Sequence, residues 1–362
     1  MVYLSKGFLK LGPKLNLAYL ITVNMIIYVD RGVVSGILSI LKESKDGGLN
    51  LNDLEAGVLG SIFMLGYMIA SPIFANSAQK VHPISLMAIG LMIWSGAVIV
   101  AGTTGEYYSL TVARAFTGVG EASFVSLAPP VILDSSPPGR STTWLSMFYA
   151  CVPVGYAIGF VYGDGITSAM GDWRWAFVFE AIVMAPLIVI AWIMYKDPSL
   201  VKTKENSGEQ LIEGEKQYVS LSEQIVTLLK NPTFVFLSLG YGAYTFTVGG
   251  LAFWGPDFIH EQYGFSNASS TVIMGAITIF SGVVATLIGA TVADKIVKPY
   301  QTQFDQGIIT KRELETTKTE KECFLLVIVT FIGSILGLAG AIISVKIPFI
   351  ILIGLSEFSI FM

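Results

Sequence analysis

Charge is scarce in this chain. Asp, Glu, Lys and Arg make up only 13% of its 362 residues, against about 25% in a soluble domain, so a globule that covers itself with charged side chains is excluded. Cysteine and histidine number only two each. Cys151 and Cys323 lie far apart near the starts of apolar runs, and His82 and His260 fall in separate polar breaks, which leaves no basis for a disulfide framework or a metal centre. The histidines read as surface residues. No Gly-rich loop ending in Gly-Lys-Ser/Thr is present and no nucleophile elbow, so neither ATP-driven pumping nor hydrolase chemistry is indicated. An enzyme is not expected, nor a cofactor, and the formal net charge of −4 gives no sign of a nucleic-acid partner.

What is abundant is apolar. Hydrophobic residues account for 53% of the chain and its mean hydropathy is +0.67. Continuous apolar runs recur, each long enough to cross a hydrocarbon layer roughly 30 Å thick, and only helices satisfy their own backbone repeatedly in that setting. A membrane β-barrel would show short alternating segments instead. The expected fold class is an all-α membrane protein with spans near 15–41, 54–78, 83–102, 107–133, 141–163, 175–195, 233–256, 268–293 and 323–344, and a tenth beginning near 347. Lys6, Lys10 and Lys14 precede the first run as in a secretory signal, but Asp30 and Arg31 interrupt it and no cleavage site follows.

Loops rich in Lys and Arg stay cytoplasmic. With the N-terminus inside, sixteen such residues fall on the inner side and only Lys42, Lys45, Arg174 and Lys346 on the outer side. This orientation puts the glycosylation sequon at Asn267 in the outer loop after the seventh span. The polar stretch 196–232 divides the chain into an N-terminal six-helix bundle, 1–195, a cytoplasmic linker, and a C-terminal bundle, 233–362, holding helices seven to nine and part of a tenth. That is the layout of a transporter built from two six-helix repeats with the second cut short.

Ionisable groups inside a membrane cost at least about 2.5 kcal/mol each, so those retained face a cavity or a partner. Asp30 and Arg31 lie near the middle of the first span, and Glu121 near the middle of the fourth. Arg114 precedes Glu121 by seven residues, two helical turns, which places them on one face roughly 10 Å apart. Asp30 and Glu121 are candidates for exchanging protons or binding substrate; Arg31 and Arg114 would neutralise them or hold an anionic head group. The alternative is a static ion-pair network that fixes helix packing. Glu180 and Glu357 are further intramembrane acids with no opposite charge nearby in sequence. Gly155, Gly159 and Gly163 recur every four residues, a spacing that lets helices approach closely and slide, and Gly118 and Gly120 thin the fourth span beside Glu121. On the seventh span Tyr241, Tyr244, Thr245, Thr247 and Trp254 are candidates for lining a cavity, with Trp254 equally suited to anchoring at the interface.

Tyr28, Asp30, Arg31 and Gly32 in the first span, the run Arg114 to Phe124 in the fourth, Gly250 to Pro256 in the seventh and Gly275 to Thr278 in the eighth together resemble the spinster branch of the major facilitator superfamily. The resemblance implies a proton-linked, alternating-access carrier of sphingolipids or lysophospholipids in an endolysosomal or plasma membrane. Its partners would be the lipid substrate, protons and the bilayer, with Asp30, Arg31 and Glu121 matching that family's coupling and substrate cluster. The loop from Phe74 to Pro83 departs from the superfamily's usual charged pattern, with Lys80 as its only firm charge, whereas Asp294 and Lys295 keep the acid and base of a gate after the eighth span. A carrier of sugars or small organic anions, or a non-transporting sensor or scaffold, remains compatible with the residues. Nothing in the sequence specifies an oligomeric state.

Overall fold

A computed structural model describes residues 12–43, 47–137, 140–194 and 221–361, and all regular structure among them is helical. The first half holds α1 (Pro13–Gly36), the short α2 (Leu38–Lys42), α3 (Asp53–Ser77), α4 (Pro83–Thr103), α5 (Tyr107–Ser135), α6 (Ser141–Met170) and α7 (Arg174–Met194). After α8 (Leu221–Leu229) come α9 (Pro232–Tyr263), α10 (Asn267–Ile279), a π-helical turn (Phe280–Ala285), α11 (Thr286–Asp305), α12 (Lys311–Ile342) and α13 (Lys346–Phe361). Among the described residues nine helices are long and apolar enough to cross a membrane, with α10, the π turn and α11 forming one of them.

The helix ends follow their capping residues. Asn52 and Glu55 form a reciprocal capping box at the start of α3, as Thr310 and Glu313 do for α12. Proline occupies the first position of α1, α4 and α9, where its missing N–H costs nothing. Gly171 and Gly264 close α6 and α9 at φ of 73° and 63°, a left-handed conformation that suits glycine.

Several helices outrun their expected spans. α6 continues to Met170 and α9 to Tyr263, while α11 extends to Asp305 and α12 begins at Lys311, because polar helical turns carry them beyond the apolar windows that defined the spans. The sequon residue Asn267 is the first residue of α10, so it sits in a helical turn rather than in a free loop. Lys6, Lys10 and most of the expected linker 196–232 lie outside the described residues; its last part is not loop but α8, tied to α3 by a hydrogen bond from Gln224 Nε2 to Asn76 Oδ1 (3.2 Å).

Six long helices pack around a core of Trp94, Phe124, Phe148, Trp173 and Phe177 in the first half. The second half holds three of the nine membrane-length helices and the shorter α13, and the halves meet where α1 lies against α9 and α6 against α10. α1 and α6 approach backbone to backbone. A Cβ at Gly159 would overlap the Val29 carbonyl oxygen and lie 2.7 Å from Gly32 Cα, and one at Gly32 would strike the Tyr156 carbonyl oxygen. Gly155 and Gly163 continue the stripe against Tyr28 and Val33. With no side chains between them, the two backbones touch, and α1 is held in one rotational setting. That setting aims Asp30 and Arg31 inward.

Gly159→Leu is therefore expected to destabilise the protein by about 1–3 kcal/mol or more through overpacking. Gly165→Ala on the same helix, where a Cβ meets nothing within 4 Å, is expected to stay within about 1 kcal/mol of the parent. Chemical denaturation in detergent checks the pair, and equal effects would contradict the close-approach role of Gly159.

Candidate functional site

The inward face of α1 presents two opposite charges in succession, and each finds its partner on α5. The Arg114 guanidinium donates through Nη1 to both carboxylate oxygens of Asp30, at 2.9 and 2.8 Å. Arg31 Nη2 donates to Glu121 Oε1. Asp30 and Glu121 are fully buried. Two crossed ion pairs thus join two helices, each contributing one acid and one base. The seven-residue spacing of Arg114 and Glu121 on α5 spreads the pairs along the seam instead of allowing the two α5 charges to meet each other.

Burial of these charges is balanced by their pairing, since an unpaired ion in such a setting costs several kcal/mol. Aromatic faces add to the support for the cations: the Arg31 guanidinium carbon lies 4.8 Å from the ring centres of Tyr28 and Phe63 and 5.8 Å from Tyr67, and that of Arg114 lies 5.3 Å from Phe63. The hydrogen-bonding capacity is not exhausted. Arg31 Nε, Arg114 Nε and Glu121 Oε2 are buried without a hydrogen bond inside the protein. The Arg31 side chain keeps 12% exposure, the only one of the four with a substantial open edge. Chemically, the arrangement can accept a proton on a carboxylate, release a guanidinium from its pair, and offer that guanidinium to an anion.

Glu180 of α7 belongs to the same neighbourhood, which its sequence surroundings did not reveal. It lies beside Asp30 and Arg114 and is 4% exposed. Glu357 is buried on α13 in the other half and faces Tyr244 across the α9–α13 contact.

The remaining candidates sit elsewhere. Tyr244 stacks on Tyr241 with ring centres 5.8 Å apart and meets Phe361 edge-on, so it faces α13 and not the ion pairs. Tyr241 comes closer to them, within electrostatic reach of Tyr67. Thr245 and Thr247 are exposed, their hydroxyls donating to carbonyls of their own helix. Trp254 lies farther along α9 beside Lys42, 6.0 Å from its ammonium. Lys295 is exposed on α11, and the side chain of Asp294 lies outside the described residues. His82 caps α4, its Nδ1 accepting from Ile84 N, and His260 Nδ1 pairs with the Phe265 carbonyl; no His, Cys, Asp and Glu cluster fit for a metal occurs among the described residues.

A second charged cluster, which sequence reasoning missed, joins the two halves. Lys42 Nζ reaches Asp53 Oδ1 at 2.9 Å, Asp257 Oδ2 at 3.0 Å and Glu261 Oε1 at 2.6 Å. Burial opposes the charge on Lys42, but the hydrogen bonds to Glu261, Asp53 and Asp257 outweigh it and raise the ammonium above the ordinary lysine range. Its partners on α9 lie 215 and 219 residues away, and no local pattern announces them.

The profile of the Major Facilitator Superfamily matches residues 20–362. The chain belongs to the major facilitator superfamily. It is accordingly an integral, multi-pass membrane protein of a transporter family, not an enzyme. Its relatives are spinster proteins: it is 37% identical to a probable sphingolipid transporter, spinster homolog 2 of Arabidopsis thaliana, over 303 residues that make up 78% of this chain and 62% of that one. To human spinster homolog 3 it is 30% identical over 78% of this chain and 56% of the other. The chain thus spans about three-fifths of the length of these relatives. In structure it is similar to a bacterial homolog of the human lysosomal transporter spinster, in an inward-facing and unoccupied conformation, with a TM-score of 0.67 at 18% identity, covering 98% of this chain and 74% of that one.

Removing Arg114 alone strands the buried Asp30 carboxylate. Arg114→Met is expected to destabilise the protein by about 3–5 kcal/mol, and adding Asp30→Asn is expected to recover part of that loss. A double-mutant cycle by denaturant unfolding checks this, and strict additivity would contradict the pairing.

Proposed function

We propose that the protein is a proton-coupled secondary carrier of sphingolipids or lysophospholipids that works by alternating access. The observation that carries this reading is the pair of crossed ion pairs, Asp30–Arg114 and Arg31–Glu121, buried where α1 and α5 meet. Protonation of either carboxylate removes the charge that holds its guanidinium. A released Arg31, flanked by Tyr28, Phe63 and Tyr67, offers one cationic edge among aromatic faces, which suits an amphiphile with an anionic head group and an apolar tail. Protonation thereby frees the charge that the substrate needs, so the two binding events are coupled, and either shifts the balance between the conformations. The Arabidopsis relative's description as a probable sphingolipid transporter supports the lipid class.

The Lys42 cluster supports an assignment of conformational state. It ties α2 and α3 to α9 at the ends of those helices that the Lys and Arg distribution puts outside when the N-terminus is cytoplasmic. The outer side would then be latched and the carrier inward-facing, as in the bacterial structure to which it is similar. Gly155, Gly159 and Gly163 let α6 move along α1 during the exchange, while the α6–α10 and α1–α9 contacts carry that movement between halves.

Two measurements test this. In reconstituted vesicles, Asp30→Asn is expected to lose the part of uptake driven by a pH gradient; acceleration by the gradient equal to that of the parent would overturn the coupling. In a competition screen against labelled lysolipid, unlabelled lysolipids and sphingoid phosphates are expected to compete and sugars and small organic acids to fail. Competition by the polar solutes alone would overturn the substrate class.

A further inference from the structure

The crossed pairs account for two carboxylates and two guanidiniums, and Glu180 adds a third acid without a base of its own. It is 4% exposed, and neither of its carboxyl oxygens receives a hydrogen bond from any donor. What its carboxyl group does reach is the carboxyl group of Asp30, with Arg114 close enough to interact with both. Two ionised carboxylates in that position present acceptors to acceptors and repel each other in a medium that screens poorly. One proton between them turns the same contact into a charge-assisted hydrogen bond, satisfies an oxygen that otherwise has no donor, and brings the buried acids and bases to equal charge.

We propose that Glu180 and Asp30 share a single proton, so that Glu180 is a third proton-binding group of the site and the proton resides on the α1–α7 contact while Arg114 remains paired. The groups facing Glu180 fit this. From α1 comes Asp30 and from α5 Arg114. From α6 comes Tyr162, which interacts with Glu180 but commits its own hydroxyl proton to the Ala176 carbonyl at 2.9 Å. α4, the helix most extensively packed on α7, carries no Asp, Glu, Lys, Arg, His or Tyr. Arg114 donates to Asp30, and no donor within the protein serves either oxygen of Glu180. The role of this pair in transport rests on the proton-coupled reading above; its existence does not.

Infrared difference spectra of the full chain in lipid nanodiscs, taken across pH, read protonated carboxyl groups directly through their carbonyl stretch. The parent protein is expected to show such a band near neutral pH, Glu180→Gln to lose it, and Asp30→Asn to displace it. If Glu180→Gln fails to fold, Glu180→Asp keeps a titratable group on a shorter stem and is expected to displace the band. A parent spectrum without a protonated carboxyl near neutral pH, or a band unchanged in the Glu180 variants, would overturn the shared proton. Vesicle uptake indifferent to a pH gradient would instead overturn proton-coupled transport and leave the infrared result standing, so the two failures are distinct.

Discussion

Five ionisable side chains, Asp30, Arg31, Arg114, Glu121 and Glu180, are packed into the interior of a single helical bundle, and the balance of charge among them is the constraint on which the rest of the site depends. Each would be expensive alone, and each pair is worth little net stability, since the attraction across a poorly screened gap only offsets the loss of water. What such a cluster provides is sensitivity. Adding or removing one proton, or one anionic head group, changes the charge balance by a whole unit in a place where water cannot compensate. Under the proposed alternating-access mechanism, that makes the seam between α1 and α5 the point of control.

The glycine stripe serves the same site from behind. Gly32 and Gly36 of α1 meet Phe160 and its neighbours on α6 through backbone contacts, so the outer face of α1 has almost no side-chain bulk to accommodate. Backbone on backbone fixes how far α1 is rotated and hence where Asp30 and Arg31 point, yet leaves a smooth surface along which it can shift. α1 also touches α9 of the other half, and α6 touches α10, with Gly282 of the π-helical turn set against Pro153. The two helices that bear the stripe are therefore ones that touch the other half, and in the proposed carrier they connect a change of charge on α1 to the interface between the halves.

The helical, membrane-spanning architecture was legible in the sequence because the bilayer imposes long apolar runs, and charged residues inside such runs stand out against them. Asp30, Arg31, Arg114 and Glu121 were conspicuous for that reason. Their pairing was not: neighbours in sequence suggest Asp30 with Arg31, whereas successive residues on a helix point in different directions and each finds its counterpart on another helix. Glu180 looked solitary for the same reason, its neighbours being supplied by α1 and α5. Lys42 read as an ordinary loop lysine, because three carboxylates converge on it only after α9 folds against the first half. Trp254 and Tyr244 share a helix, but nearly three turns of α9 separate them, one beside Lys42 and the other beside α13. Helix ends were misjudged where polar turns continue an apolar helix into water, as in α11 and α12.

In the proposed carrier, the protonation state of the buried charge cluster governs the Lys42 contact that ties α2 and α3 to α9. The most direct measurement is the distance distribution between spin labels at Leu54 on α3 and Gln262 on α9, both exposed at the latched end, in a protein whose exposed Cys323 is replaced by Ser. The distribution is expected to shift between latched and separated populations with pH in the parent and to become insensitive to pH when Asp30→Asn and Glu121→Gln are combined. The same distribution at every pH in the parent, or an undiminished pH response in the double variant, would contradict it.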